Sequence, residues 1–213
     1  LGLREAPNLF IGTVHGFCLR HLLMPSARLA NLPVPFPLAV ATQRQSEQAM
    51  KRVGDRLFGV GHPNKPRNLG RHRRSILERA SMAWTSEGEL AEWAEEYEAE
   101  LRGMGLIDFD DLVIFGQRLV SEHDWVLPLL QAKFPILAVD EYQDLGVPLH
   151  RIVKRIAFDG AVRLFAVGDS TQPIYGLTGA DGARLQELAA REDLEPVPPK
   201  PTYRPTYRLL RDT

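Results

Sequence analysis

The sequence has a single cysteine, Cys18, among its 213 residues, and this scarcity excludes a fold held together by internal disulfides. It also lacks an apolar run long enough to cross a membrane and shows no secretory signal pattern. We therefore expect a cytoplasmic location, without a membrane partner. The chain begins with leucine rather than methionine, from which we expect further sequence before Leu1.

A large excess of one charge is absent overall, since 26 basic residues stand against 27 acidic ones, but the charges are segregated. Residues 51–79 contain nine basic and two acidic residues, whereas residues 87–100 contain seven glutamates and no lysine or arginine. The basic segment has the character of a nucleic-acid-binding surface, and Arg71, Arg73 and Arg74 are its densest part. The alternative is an ordinary surface balanced by the acidic segment beside it.

Helical periodicity dominates the middle of the chain. In the acidic segment, Ser86 and Glu89 form a capping-box pattern, and Trp93 and Tyr97 share an apolar face that we assign to the core. Asp110 and Asp111 are interpreted as a helix start without a catalytic role. Further helices are predicted over residues 42–58, 71–84, 125–133 and 181–191, and residues 195–205, with five prolines, are predicted to be a semi-rigid connector.

Polar residues follow two apolar segments that have the composition of buried strands. Residues 135–139 lead into Asp140 and Glu141, and residues 163–167 lead into Gly168 and Asp169. The intervening residues fit a crossover helix, so the two strands should be parallel neighbours with both polar loops at one edge of the sheet. A carboxylate there can hold Mg²⁺ and its neighbour can activate a water, although a solvated turn can carry the same residues.

The chain resembles the superfamily 1 DNA helicases of the UvrD, Rep and PcrA type. Asp140-Glu141-Tyr142-Gln143-Asp144 resembles the second motif of that family, and residues 168–176 (GDSTQPIYG) resemble the third. Residues 12–18 are similar to the GTxHxxC segment, residues 105–112 to the GLxDFDDL signature and residues 202–206 to the start of the fourth motif. The five matches occur in the order found in the family.

The resemblance implies an α/β fold, a RecA-like P-loop NTPase motor domain with an incomplete parallel sheet and an inserted helical subdomain. Residues 1–30 and 105–194 would belong to the first motor domain and residues 31–104 to the insertion. Residues 195–213 would be a connector and the start of a second motor domain. The implied activity is ATP-dependent DNA unwinding or translocation, in the 3′ to 5′ direction.

The resemblance also assigns roles at the nucleotide, with ATP and Mg²⁺ as cofactors. Asp140 would hold Mg²⁺ and Glu141 would be the catalytic base. Gln172 and Arg204 would contact the γ-phosphate, and Tyr175 would lie at a conformational relay near the nucleotide and the DNA.

For the DNA partner, single-stranded or at a junction with duplex, the resemblance places Thr13 and His15 beside the strand. It places the basic segment, with Arg71, Arg73 and Arg74, in the subdomain that touches DNA.

Three departures from the family are visible. Leu177 and Thr178 stand where the family has an aromatic residue and an arginine, and Pro173 replaces the usual serine. No G-x-x-x-x-G-K-[ST] phosphate loop occurs in the 213 residues. We therefore expect the isolated chain to be inactive as an ATPase and to self-associate through its incomplete sheet. A helicase-like DNA-binding or protein-interaction module without ATPase activity remains an alternative, as does another Mg²⁺-dependent phosphoryl-transfer enzyme using Asp140 and Asp169.

Overall fold

A computed structural model describes residues 8–60, 66–77, 79, 81–169, 183–197 and 207–210. Contacts within the chain divide it into two compact units. Unit 1 comprises Leu1–Phe17 with Val120–Thr213, and unit 2 comprises Cys18–Leu119. Predictions for Gln172, Tyr175 and Arg204 lie outside the described residues.

The described residues form helices and a small sheet. In chain order the helices are α1 (Val14–Phe17), α2 (Met24–Ser26), α3 (Gln43–Phe58), α4 (Pro66–Ser75), α5 (Met82–Thr85), α6 (Gly88–Gly103), α7 (Phe109–Glu122), α8 (Val126–Lys133), α9 (Val147–Lys154) and α10 (Ala183–Ala189). The strands are β1 (Ile136–Val139), β2 (Arg163–Gly168), β3 (Glu195–Val197) and β4 (Tyr207–Leu210). Cys18–Leu23 and Arg155–Asp159 are π-helical, and Tyr142–Asp144 is a turn of 3₁₀-helix.

The sheet of unit 1 has the order β1-β2-β4-β3. β1 and β2 are parallel and are connected through α9, as the crossover pattern predicted. β4 is antiparallel to both β2 and β3, so the described sheet is mixed rather than purely parallel. Only nine residues separate β3 from β4, a connection short enough for antiparallel strands but not for a parallel crossover.

Residues 195–197 of the segment predicted to be a proline-rich connector form the strand β3. Pro196 occupies a strand at the end of the sheet order, where a missing N–H can face away from the ladder.

The core of unit 1 lies between β2, α10 and the turn that follows β1. Leu164 and Ala166 of β2 are buried against Leu185 and Leu188 of α10 and against Tyr142. The strand alternates buried and less buried positions, because successive side chains leave opposite faces of the sheet. This packing holds the carboxyl end of β2 and the turn after β1 in one cluster.

In unit 2, α3 packs against α6. The Thr42 side chain accepts a hydrogen bond from the N–H of Gln45 while the Gln45 side chain bonds the N–H of Thr42, so α3 starts with a capping box. A Cβ on Gly54 would lie 3.0 Å from the Trp93 ring, and the glycine therefore permits close helix packing. Trp93 and Tyr97 are buried, which confirms their assignment to the core.

Two helix predictions in unit 2 were wrong. The predicted helix over residues 71–84 is interrupted, because the Ser81 side chain accepts from the N–H of Trp84 and caps a new helix, α5. The acidic helix α6 begins at Gly88 after Glu87, without a side-chain cap, whereas Ser86 donates to the carbonyl of Ala83. Among the described residues, no helix is both long and apolar enough to span a membrane.

Candidate functional site

The carboxyl ends of β1 and β2 lie side by side in unit 1. The parallel register pairs Val139 with Ala166, so Asp140 and Glu141 leave β1 at the edge where Gly168 and Asp169 end β2. This arrangement of the two strand ends is the one predicted, but the prediction that β1 is buried was wrong, because its residues are exposed or half-buried. Crevices at this edge of parallel strands are where ligands bind in open α/β sheets.

The two carboxylates that follow β1 are exposed. Asp140 accepts a hydrogen bond at Oδ1 from the backbone N–H of Glu141, at 3.0 Å. Glu141 has a φ of +50° and a ψ of +47°, the left-handed region that residues other than glycine rarely occupy. Such a backbone costs energy and is maintained by its surroundings, and it turns the chain sharply from the strand into the buried Tyr142.

Gln143 joins the two strand ends, a role that the sequence reasoning did not assign. Its side chain is 1 % exposed. Its Nε2 donates to Oε2 of Glu141, and its Oε1 accepts from the backbone N–H of Asp169 at 2.9 Å. One buried amide therefore contacts both the carboxylate after β1 and the backbone after β2.

Gly168 makes this junction possible. A Cβ at this position would lie 2.5 Å from Oε1 of Gln143 and 3.2 Å from the backbone nitrogen of Tyr142. No other residue type fits without displacing the amide, so glycine is required here for close approach.

A second set of polar contacts supports the turn after β1. The Tyr142 hydroxyl lies 2.9 Å from Nδ1 of His150 on α9, and Nε2 of His150 lies 3.3 Å from Glu187 on α10. Lys154 also contacts Glu187, at 2.6 Å. Burial lowers the pKa of His150, and this exceeds the opposing effect of Glu187. The imidazole lies between Tyr142 and Glu187.

Thr13 and His15, the predicted DNA contacts, lie in the same unit, at the start of α1. Oγ1 of Thr13 accepts from the N–H of Gly16 at 3.1 Å, so the hydroxyl caps the short helix. Thr13 is exposed and His15 is half-buried. A hydroxyl that accepts one bond still has its own hydrogen to donate, and a phosphate oxygen could receive it.

The three predicted arginine contacts differ from one another. Arg71 is exposed. Arg74 is half-buried and bonds both oxygens of Asp110 through Nη1, at 2.8 and 2.7 Å. Arg73 is fully buried, and its guanidinium contacts Asp108 at 2.6 Å, Asp111 at 2.5 Å and Glu98 at 2.8 Å. The structure does not support Arg73 as a DNA contact, because its charge has no exposed surface to offer a phosphate.

Other arginines of the basic segment pair with the acidic helix α6. Arg56 contacts Glu96 and Glu100, Arg52 contacts Glu100, and Arg79 contacts Glu98. For these residues the alternative interpretation of the basic segment, charges balanced by the neighbouring acidic segment, agrees with the structure.

The carboxylates around Arg73 have different proton affinities. Burial raises the pKa of Asp111 to about 7, despite the attraction of Arg73. For Asp108, burial acts in the same direction, but the charge and hydrogen bonds of Arg73 outweigh it and hold the pKa below its ordinary value. Three carboxylates thus share the buried Arg73 in a structural cluster.

No group of three or more histidine, cysteine or acidic residues capable of holding a metal occurs in the described ranges. A metal at the strand ends would therefore depend on few protein ligands, with Asp140 as the exposed carboxylate nearest the end of β1.

Comparisons with known proteins identify relatives. The ATP-dependent DNA helicase PcrA of Bacillus subtilis is 28% identical over 227 residues, covering 97% of this chain and 29% of the relative. The ATP-dependent DNA helicase Rep of Salmonella typhimurium is 33% identical over 116 residues, covering 54% of this chain and 17% of the relative. A PcrA of Staphylococcus aureus is 40% identical over 85 residues, covering 40% of this chain and 12% of the relative.

The chain thus spans less than a third of the length of these relatives. The family model of the UvrD/REP helicase N-terminal domain matches residues 1–192, which is most of the 213 residues. The chain belongs to the UvrD/REP helicase N-terminal domain family.

Proposed function

We propose that this chain is part of the ATP-driven motor of a DNA helicase or translocase of the UvrD, Rep and PcrA type. Residues 1–30 and 105–194 form part of a RecA-like motor domain, residues 31–104 form its helical insertion, and residues 195–213 lead into a second motor domain. The motor works on DNA in the cytoplasm and moves 3′ to 5′ along a single strand.

The observation that carries the proposal is the pairing of the two strand ends. Asp140 and Glu141 are exposed at the edge where β2 ends, and Gln143 links the Glu141 carboxylate to the backbone of Asp169 through two hydrogen bonds. A phosphate at this edge would meet a carboxylate able to take up a metal and a second able to accept a proton from water.

The residues present fit Mg²⁺. This ion keeps several waters and binds through one or two carboxylates plus substrate phosphates, rather than in a cage of protein ligands. The Asp140 carboxylate is exposed, and no cluster of metal ligands surrounds it in the described ranges, which agrees with this coordination preference. When bound, the ion supplies charge neutralisation to the phosphates.

Within this motor, Glu141 orients the attacking water and accepts its proton. Gln172 and Arg204 contact the γ-phosphate, and Tyr175 is at a conformational relay near the nucleotide and the DNA. These three assignments rest on the resemblance alone.

DNA phosphates are bound by Thr13 and His15 in unit 1 and by the exposed Arg71 in unit 2, with Arg74 beside it. Arg73 is left out of this set because it is buried among carboxylates. A single strand, or its junction with duplex, is the proposed substrate.

The decisive experiment measures DNA-stimulated phosphate release by the full-length protein containing this chain. Glu141→Gln keeps the shape but removes the base, so kcat should fall roughly 100-fold or more, while binding of a fluorescent ATP analogue persists. Glu92→Gln, an exposed glutamate of α6, is the matched control and should leave kcat unchanged.

An unchanged kcat in Glu141→Gln would contradict the assignment of the base. A wild-type protein that binds DNA but releases no phosphate would instead favour a DNA-binding or protein-interaction module without ATPase activity. Unwinding of substrates with 3′ or 5′ single-stranded tails tests the direction of movement.

The isolated chain, which contains no G-x-x-x-x-G-K-[ST] sequence, is proposed to be inactive as an ATPase. Phosphate release by the 213-residue chain alone would overturn this. Self-association through β1, an end strand of the described sheet with Ile136 54 % exposed, should appear as dimers in sedimentation.

A further inference from the structure

Gln143 has three properties that a residue with only a packing role at a turn would not require. It is almost completely buried, it donates to the Glu141 carboxylate, and it accepts from the backbone N–H of Asp169. We propose that Gln143 is a positioning residue, which couples the orientation of the Glu141 carboxylate to the backbone at the end of β2.

The chemistry of the side chain supports this coupling. A primary amide has donors on its nitrogen and an acceptor on its oxygen, held in one plane, so it can serve both partners at once. An ionised glutamate at the same position would keep the acceptor, lose the donor and repel the Glu141 carboxylate. Leucine, of similar size, would lose both.

The surroundings restrict where the amide can lie. Gly168 leaves room for Oε1 at a place that any Cβ would contest, so a side chain at this position would displace the amide. On the other side, Oε2 of Glu141 accepts from Nε2 of Gln143, in the turn that begins at the left-handed backbone of Glu141. The Glu141 carboxylate is exposed and would otherwise rotate freely, and the bond from Gln143 fixes one of its orientations.

These contacts would couple hydrolysis to the position of the backbone at Asp169. A shift of the Asp169 N–H would move Gln143 and then the carboxylate of Glu141. Displacement of a catalytic group by about 1 Å can cost on the order of 100-fold in rate. The amide would thus make hydrolysis depend on the position of the Asp169 backbone. This inference rests on the proposed function, because it assumes that Glu141 acts on a water.

The test uses the full-length protein and two variants that separate the two bonds. Gln143→Leu removes both bonds, and Gln143→Glu keeps the acceptor for the N–H of Asp169 while removing the donor to Glu141. Both should lower the kcat of DNA-stimulated ATP hydrolysis roughly 10- to 100-fold and change the KM for ATP less than about twofold. Hydrogen exchange at the amide of Asp169 should accelerate in Gln143→Leu and stay slow in Gln143→Glu.

Gln117→Leu is the matched control, since it removes another buried glutamine amide, in unit 2. It should leave both kcat and exchange at Asp169 unchanged. Gly168→Ala should lower kcat by displacing the amide, and combining it with Gln143→Leu should add little further loss. If Gln143→Leu does not fold, Gln143→Glu still tests the donor bond.

The outcomes separate this inference from the proposed function. A wild-type protein without ATPase activity would contradict both the proposed function and the positioning role of Gln143. If the wild type is active and both Gln143→Leu and Gln143→Glu keep its kcat, the positioning role is contradicted while the proposed function stands. If hydrogen exchange at Asp169 accelerated equally in both variants, Gln143→Glu would not keep the bond to the Asp169 N–H as proposed.

Discussion

The strand ends of unit 1 and the buried cluster of unit 2 use the same carboxylate chemistry in opposite environments. At the strand ends, Asp140 and Glu141 are exposed, and no described residue forms an ion pair with either of them. In the cluster, Asp108 and Asp111 are buried and contact the guanidinium of Arg73. Exposed carboxylates that are not paired with a cation remain available to a ligand, whereas buried carboxylates that are paired with Arg73 stabilise the folded chain.

The comparison also separates two kinds of arginine. Arg73 is buried against carboxylates on α6 and at the start of α7, where a charge without partners would cost several kcal/mol. Arg56 forms ion pairs as well, but at the surface, where water competes with each contact. Burial, rather than the presence of an ion pair, should determine how much each arginine stabilises unit 2.

The largest effect is expected for Arg73→Met. Removing the cation leaves Asp108, Asp111 and Glu98 close together without compensation, so the free energy of unfolding should fall by about 3–5 kcal/mol. Urea unfolding of the chain followed by circular dichroism measures it. Arg71→Met, on the same helix but exposed, is the control and should change stability by less than about 0.5 kcal/mol.

If Arg73→Met lost no more stability than Arg71→Met, the buried cluster would not be a structural element. Arg73 could then return to the set of proposed DNA contacts.

A pH dependence should distinguish the cluster from the strand ends. The pKa of Asp111 is about 7 in the folded chain, above the ordinary value of 3.8, so the folded state binds this proton more tightly than the unfolded state does. The stabilisation from protonated Asp111 is complete below about pH 4 and is lost as the pH rises through 7. Because neighbouring carboxylates share the proton, we expect a loss on the order of 1 kcal/mol.

The contribution of Asp108 to stability depends on pH in the opposite direction. Its pKa is lowered on folding, so its contribution is present above the ordinary pKa and is lost as the pH falls through the lower, folded value. The lowered pKa of His150 acts in the opposite direction between pH 4 and pH 8, so the decline due to Asp111 is measured as the difference in unfolding between the wild type and Asp111→Asn. A decline that persists in Asp111→Asn would place the titrating group elsewhere.

The extent to which these regions could be predicted from sequence differs for a physical reason. β1, β2 and α9 follow from local patterns, because apolar strands and helical spacing are encoded in consecutive residues. The bridge through Gln143 joins residues 26 positions apart, and its geometry depends on the register of two strands. The sequence predicted which loops would meet but not which side chain would connect them.

The prediction of Arg73 as a DNA contact did not anticipate its burial, although the helical spacing of the sequence indicates it. Leu69, His72 and Arg73 follow helical spacing on α4, and all three are buried, so Arg73 belongs to the inward stripe of that helix. A count of basic residues ignores this periodicity. The carboxylates that pair with Arg73 lie 25 to 38 residues away along the chain, and no local pattern connects them to it.

The smallest effect is expected for Arg56→Gln, which removes two surface ion pairs from unit 2. Arg56 lies 3.0 Å from Glu96 and 3.3 Å from Glu100, but its side chain is 54% exposed. Exposed pairs contribute roughly 0.2–1 kcal/mol and are screened by salt, so the loss in urea unfolding should be about 0.5 kcal/mol and should vanish in 1 M NaCl. Arg44→Gln, exposed on the same helix, is the control. A loss approaching that of Arg73→Met, or one that persists in high salt, would contradict the view that burial sets the value of these charges.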